Sequence, residues 1–168
     1  DLLQFTNYNL PQGLIVPPIL LSSEVKLTQG AFAIVSIVTL RKCTLIMKKL
    51  NERRAQCEVD VRKFVRETKL ISWFDCECME ENHQIIKILG WYQNPLTKCF
   101  YFLMPMMSNG DLHHFISSRQ SDCVEFKQKV VWALQISKAL CFIHSRGYIH
   151  CDMKSLNILL DEHLNAFV

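Results

Sequence analysis

At Ser108-Asn109-Gly110-Asp111 the chain changes its period. Before this cluster of turn-forming residues lie apolar stretches of strand length; after it, apolar residues recur every three or four positions. Val25-Lys26-Leu27 alternates, Ile34 to Leu40 is rich in β-branched residues, and Cys43 to Met47 is apolar again beyond Arg41-Lys42. Three short strands in succession predict an antiparallel meander. Asn51 to Leu70 is charged, with Val61, Phe64, Val65 and Thr68 at helical spacing, as expected of a helix with a solvated face. Gln84 to Tyr92 and Lys98 to Met104 are two further runs of strand length, joined at the turn Gln93-Asn94-Pro95-Leu96. Past the switch, Asp111 is placed to cap a short helix through Ser117. A longer helix is predicted from about Val124 to Ser145, stopped by Gly147. Its apolar positions Phe126, Val130, Leu134, Leu140 and Ile143 make it a buried helix by expectation. Strands, helix, strands, then helices is an α+β pattern in two unequal lobes.

Residues 1–21 show no clear period, and Pro17-Pro18 stiffens their end, which reads as a leader lying on a domain surface. The chain starts with Asp1, so it is expected to be cut at this end. The longest apolar stretches, Leu14 to Leu21 and Ile34 to Leu40, are too short to span a bilayer. A net charge of +3, carried by dispersed basic residues, gives no reason to expect a nucleic-acid partner. Eight cysteines are scattered, several inside apolar runs where a thiol behaves as a small hydrophobe. Cys76-x-Cys78 with His83 nearby misses the usual gap of a zinc half-site and has no second pair. Free cysteines in a reducing compartment are the expectation, and oligomeric state is not legible.

Between Tyr148 and Leu160 the chain concentrates chemistry. An apolar pair leads into His150; Asp152, Lys154 and Asn157 follow, and then Ile158-Leu159-Leu160. A polar loop anchored by hydrophobic residues on both sides brings together a carboxylate, an ammonium and an amide. The carboxylate can accept a hydroxyl proton, the ammonium can neutralise a phosphate oxygen, and the amide oxygen can ligate Mg²⁺. The plain alternative is a polar surface turn between two strands.

His150-Cys151-Asp152-Met153-Lys154-Ser155-Leu156-Asn157 resembles the H-R-D-L-x-x-x-N loop of the eukaryotic protein kinases. By that resemblance Asp152 is the catalytic base, Lys154 the γ-phosphate partner, Asn157 a Mg²⁺ ligand and His150 a pin for the loop. A lysine two residues after the aspartate is the pattern of serine/threonine and tyrosine-kinase-like members. Leu45-Ile46-Met47-Lys48 resembles the V-A-I-K strand, and Phe64-Val65-Arg66-Glu67 the helix that carries its partner. Lys48 is then the α/β-phosphate lysine and Glu67 its ion-pair partner. Asn82-His83-Gln84-Ile85-Ile86 resembles the H-P-N-I-V loop. The family spacing puts the gatekeeper at Met104 and the adenine-facing backbone at Pro105 and Met107, with Leu27, Gly30 and Val35 also against the nucleotide.

The implied fold is α+β and kinase-like: a five-stranded antiparallel N-lobe with one helix, and the first part of a mainly helical C-lobe. Residues 1–21 are then the leader, 22–107 the N-lobe and hinge, and 108–168 a partial C-lobe. The implied cofactors are ATP and Mg²⁺, and the implied partner is a protein substrate. The implied location is the cytoplasm, or the cytoplasmic face of a larger receptor-like protein.

Three departures qualify the resemblance. Where the family has G-x-G-x-x-G, this chain has Thr28-Gln29-Gly30-Ala31-Phe32-Ala33; Thr28 resists a positive φ, and Ala33 adds a methyl where phosphate approaches. Cys151 replaces the arginine that pairs with a phosphorylated activation loop, so switching through that contact is not expected. Such loops resemble those of receptor-like kinases of innate-immune signalling. Leu164 to Val168 resembles the strand leading into D-F-G, which places the second metal-binding aspartate beyond Val168, and the 168 residues alone are expected to have little activity. A pseudokinase and a truncated binding module therefore stand beside the active kinase as alternatives.

Overall fold

The computed structural model describes residues 14–77, 84–118 and 124–168. They form two compact units, one of residues 14–76 and 87–106, the other of residues 77, 84–86, 107–118 and 124–168. The H-P-N-I-V-like stretch lies only partly within them, and Cys78 and His83 lie outside.

The first unit is a sheet of β1 (Leu14–Ile15), β2 (Leu21–Gln29), β3 (Ala33–Leu40), β4 (Cys43–Leu50), β5 (Gly90–Gln93) and β6 (Phe100–Pro105), with α1 (Glu52–Ala55) and α2 (Glu58–Glu77). The strand order is β1-β5-β6-β4-β3-β2. Strands β2 to β6 pair antiparallel, as the sequence predicts. The sixth strand is the surprise: β1 comes from the leader and pairs parallel with β5, Leu14 opposite Gly90. Its successor Val16 is fully buried, and the Tyr101 hydroxyl donates to its carbonyl. Burying such a side chain stabilises by about 1.5–3 kcal/mol, which is why a segment without sequence period is held to the sheet.

Strand alternation sends successive side chains to opposite faces. Leu45 and Met47 on β4 join Val16, Val38, Tyr101 and Leu103 on one face. On the other, Leu50 meets Phe100, Phe102 and the α2 residues Val61, Phe64 and Val65. Phe64 is the centre of this cluster, with ring centroids 5.6 Å from Phe100 and 5.4 Å from Phe102.

Two element boundaries differ from the sequence reading. The single helix expected over 51–70 is interrupted at Gln56-Cys57 and resumes as α2 to Glu77, since Ile71 to Glu77 contains neither Gly nor Pro to stop it. Gln84 to Leu89 is not strand. Its backbone groups are engaged elsewhere: Ile86 N–H donates to the Val168 carbonyl, and Val168 N–H to the Gln84 carbonyl.

The second unit holds α3 (Leu112–Ser117), α4 (Phe126–Ser145), β7 (Leu159–Leu160) and β8 (Ala166–Phe167). Asp111 caps α3, accepting from His114 N–H at 2.9 Å. Gly147, at φ +78°, ends α4 in a Schellman motif: Tyr148 N–H bonds the Ile143 carbonyl and Gly147 N–H that of His144. The expectation that α4 is buried holds for one face only. Trp132, Ala139, Phe142 and Ile143 are buried, whereas Phe126, Val130 and Leu134 are 80%, 50% and 55% exposed. The buried face reads the β7–β8 turn: Trp132 Nε1 and Gln128 Nε2 donate to the Leu164 carbonyl, and Gln135 bonds Ala166 N–H and Asn165. Among the described residues no helix is long and apolar enough to cross a membrane.

Candidate active site

Each unit carries its own cluster of functional side chains. In the first, Lys48 sits mid-strand on β4, opposite Val35 on β3 and Phe102 on β6. The period of two turns it to the face covered by α2, where its Nζ meets Glu67 Oε1 at 2.6 Å. The pair is partly exposed, at 28% and 41% of the side chains. The Lys48 ammonium also lies 5.7 Å and 6.0 Å from the ring centroids of Phe102 and Phe64, so two aromatic faces and one carboxylate share its charge. The neighbouring Lys49 faces the opposite side, where its Nζ lies a loose 3.8 Å from Glu52.

Gly30 lies in the β2–β3 turn, and Leu27 is the residue skipped by a register shift in the β2–β3 ladder. Leu27 is half exposed and Val35 half-buried. Pro105 ends β6 opposite Leu45. Met107 opens a turn in which its carbonyl accepts from Gly110 N–H at 3.0 Å, Gly110 adopting φ +65°.

In the second unit Asp152, Lys154 and Asn157 come together. Lys154 Nζ contacts both carboxylate oxygens of Asp152, at 2.9 and 2.8 Å. Asn157, in a single 3-10 turn over Ser155–Asn157, donates its Nδ2 to the Asp152 carbonyl at 2.8 Å and to Asp152 Oδ2 at 2.9 Å. The hydrogen bond from Lys154, then that from Asn157, holds the Asp152 carboxyl below the ordinary carboxylate range, against a small effect of burial. His150 Nδ1 accepts from Asp152 N–H at 3.3 Å, so a neutral ring carries its proton on Nε2. Cys151 is at φ +65°, an uncommon conformation for a side chain bearing a Cβ. The loop is tied down on its far side: Leu112 N–H bonds the Ile158 carbonyl, Leu160 N–H the Gly110 carbonyl, and Asn109 Nδ2 the Asp161 carbonyl at 2.6 Å.

Several residues that shape these clusters escaped sequence reading. Asn51 Nδ2 donates to the Gly30 carbonyl, and Arg54 pairs with the buried Asp60 at 3.1 Å. Asn109, Gln135 and Trp132 act on backbone carbonyls and amides, for which a single sequence carries no spacing signal.

Among the described residues no group of three His, Cys, Asp or Glu side chains could hold a metal ion. The donor set nonetheless fits Mg²⁺ bound jointly with phosphates. Asn157 spends its amide nitrogen on Asp152, which leaves a hard carbonyl oxygen, and Mg²⁺ characteristically takes few protein ligands. Cys43, Cys57, Cys99, Cys141 and Cys151 are free thiols.

Comparison with known proteins gives the class. Residues 21–167 match the protein kinase domain, and the chain belongs to that family. It is 47% identical over 58 residues to a probable CTD kinase subunit alpha homolog of Encephalitozoon cuniculi (strain GB-M1), covering 34% of this chain and 17% of that one. It is 28% identical over 149 residues to chitin elicitor receptor kinase 1 of Physcomitrium patens, 85% of this chain and 21% of that one. To the tyrosine-protein kinase receptor svh-2 of Caenorhabditis elegans it is 28% identical over 109 residues, 65% and 9% of the two chains. The chain thus spans less than a quarter of the length of each of these relatives.

Proposed function

We propose that this chain carries the nucleotide-binding strands and the catalytic loop of a protein kinase that transfers the γ-phosphate of ATP to serine and threonine hydroxyls. The observation that carries the reading is the Asp152–Lys154–Asn157 constellation. Asp152 is the proton acceptor for the incoming hydroxyl; its carboxylate is kept ionised by Lys154 and oriented by Asn157. Lys154, two residues on, is also the group that meets γ-phosphate oxygens, and its position supports serine/threonine acceptors. Asn157 offers its amide oxygen to Mg²⁺, which when bound with ATP neutralises phosphate charge. Lys48, steadied by Glu67, binds the α/β-phosphates. Leu27, Gly30 and Val35 line the nucleotide, and the backbone of Pro105 and Met107 meets the adenine. Residues 1–21 are the leader, 22–107 the N-lobe with the hinge, and 108–168 the C-lobe portion. The protein works in the cytoplasm or on the cytoplasmic face of a receptor-like chain, and Cys151 makes it indifferent to activation-loop phosphorylation through that position.

A second reading, a kinase-like regulatory module, draws on Thr28 and Ala33 in place of loop glycines. One experiment separates them. The protein isolated from its native cells is given γ-labelled ATP with Mg²⁺ and a mixed peptide library, and the labelled products are hydrolysed to phosphoamino acids. Label on serine and threonine is expected. Label on tyrosine alone overturns the acceptor assignment, and ATP binding without transfer favours the regulatory module.

A further inference from the structure

The Thr28–Ala33 segment holds one glycine where the G-x-G-x-x-G loop has three, and its backbone has little use for more. Neither Thr28, Ala31, Phe32 nor Ala33 takes a positive φ, and Gly30 does not either. A Cβ built on Gly30 would meet only the Ala33 carbonyl, at an ordinary 3.5 Å. Gly30 N–H donates to that same carbonyl at 2.9 Å and closes the turn. What is unusual is how the turn is held from outside. Asn51, the residue between β4 and α1, gives its backbone N–H to the Phe32 carbonyl at 3.1 Å and its side-chain Nδ2 to the Gly30 carbonyl at 2.9 Å. Asn51 makes no side-chain cap to its own helix, so its amide is committed to the turn.

The connection runs on. The Asn51 carbonyl accepts Arg54 and Ala55 N–H to start α1, and Arg54 Nη1 reaches the buried Asp60 Oδ2 on α2 at 3.1 Å. Two turns along α2 stands Glu67, paired with Lys48. From the other side Phe32 packs on Phe64, ring centroids 6.1 Å apart. The turn and the phosphate lysine are therefore fixed relative to one another through a short chain of side chains within one unit.

We propose, resting on the kinase reading above, that Asn51 is a positioning residue for the phosphate end of the nucleotide: it fixes the Gly30–Phe32 backbone in place of the flexibility that loop glycines supply. A fixed turn binds phosphate without an ordering cost, and it does so only while the Asn51 amide holds the Gly30 carbonyl.

The test uses the 168-residue chain and three ligands, adenosine, ADP and ATP, the nucleotides with Mg²⁺. Asn51→Asp is nearly isosteric but turns a donor into an acceptor facing the Gly30 carbonyl. It is expected to weaken ATP and ADP about three- to tenfold, the scale of one hydrogen bond, and adenosine by less than about twofold. Amide exchange at Gly30 is expected to quicken in the same variant. Asn51→Ser, which is too short to reach Gly30, repeats the measurement if the aspartate variant does not fold. Equal losses for adenosine and ATP, or no loss for either with unchanged exchange, overturn the positioning role. A wild-type chain that binds adenosine and ATP alike or not at all overturns the kinase reading, and the role of Asn51 with it.

Discussion

Asp152 is exposed, yet its carboxyl sits below the ordinary range because Lys154 and Asn157 both donate to it. A depressed pKa means the ionised form persists to lower pH than usual, and removing the donor should reverse this. In Lys154→Ala the Asp152 titration, followed by carboxyl-carbon NMR, is expected to move up toward an ordinary aspartate; an unmoved midpoint would show that Lys154 does not govern it. A second residue-scale prediction concerns Gly30. Its backbone is available to any L residue and its Cβ would have room, so Gly30→Ala should stabilise the chain by about 0.4–1 kcal/mol through the unfolded state. Urea melts check it, and a loss of stability would contradict the described turn. Such contacts explain why the candidate site was only half legible. Asp152, Lys154 and Asn157 are visible because the loop packs them within six positions. Asn51 is hidden because its partner lies 21 residues away and is a backbone carbonyl.

At the scale of elements, α2 carries the argument for the first unit. Phe64 is fully buried among Phe32, Phe100 and Phe102, and Phe64→Ala should cost about 3–5 kcal/mol. Arg54→Ala leaves the buried Asp60 carboxylate without its partner and should cost about 1–3 kcal/mol. Chemical denaturation measures both, and an order reversed between the two would be inconsistent with the packing. The helical period over Val61 to Thr68 foretold α2, but not its extension to Glu77 or the break at Gln56-Cys57. Periodicity reports which residues share a face, and says little about where a helix stops unless Gly or Pro marks the place. Gln84 to Leu89 misled for a related reason. Its apolar residues suit a strand, but Gln84 and Ile86 bond Val168, far off in sequence, and Leu89 N–H alone reaches the Leu103 carbonyl of β6. Likewise β1 forms because Val16 has a buried seat on the sheet, a tertiary effect that overrides a segment without pattern.

For the whole molecule, the predominantly apolar α4 reads in sequence as a buried helix, and the structure leaves Phe126, Val130 and Leu134 as an exposed stripe at four-residue spacing. The chain with Phe126→Ser, Val130→Gln and Leu134→Gln together should bind less of an apolar-surface dye than wild type, with helical circular dichroism retained; equal dye binding would mean the stripe is covered in solution. The central claim is that Asp152 serves a phosphoryl-transfer reaction, and its most direct measurement is the transfer rate from γ-labelled ATP to peptide in the protein from its native cells, wild type against Asp152→Asn. Loss of a positioned general base predicts a fall of about 10²–10⁴-fold, with ATP affinity unchanged. A variant that transfers phosphate at the wild-type rate would contradict the account.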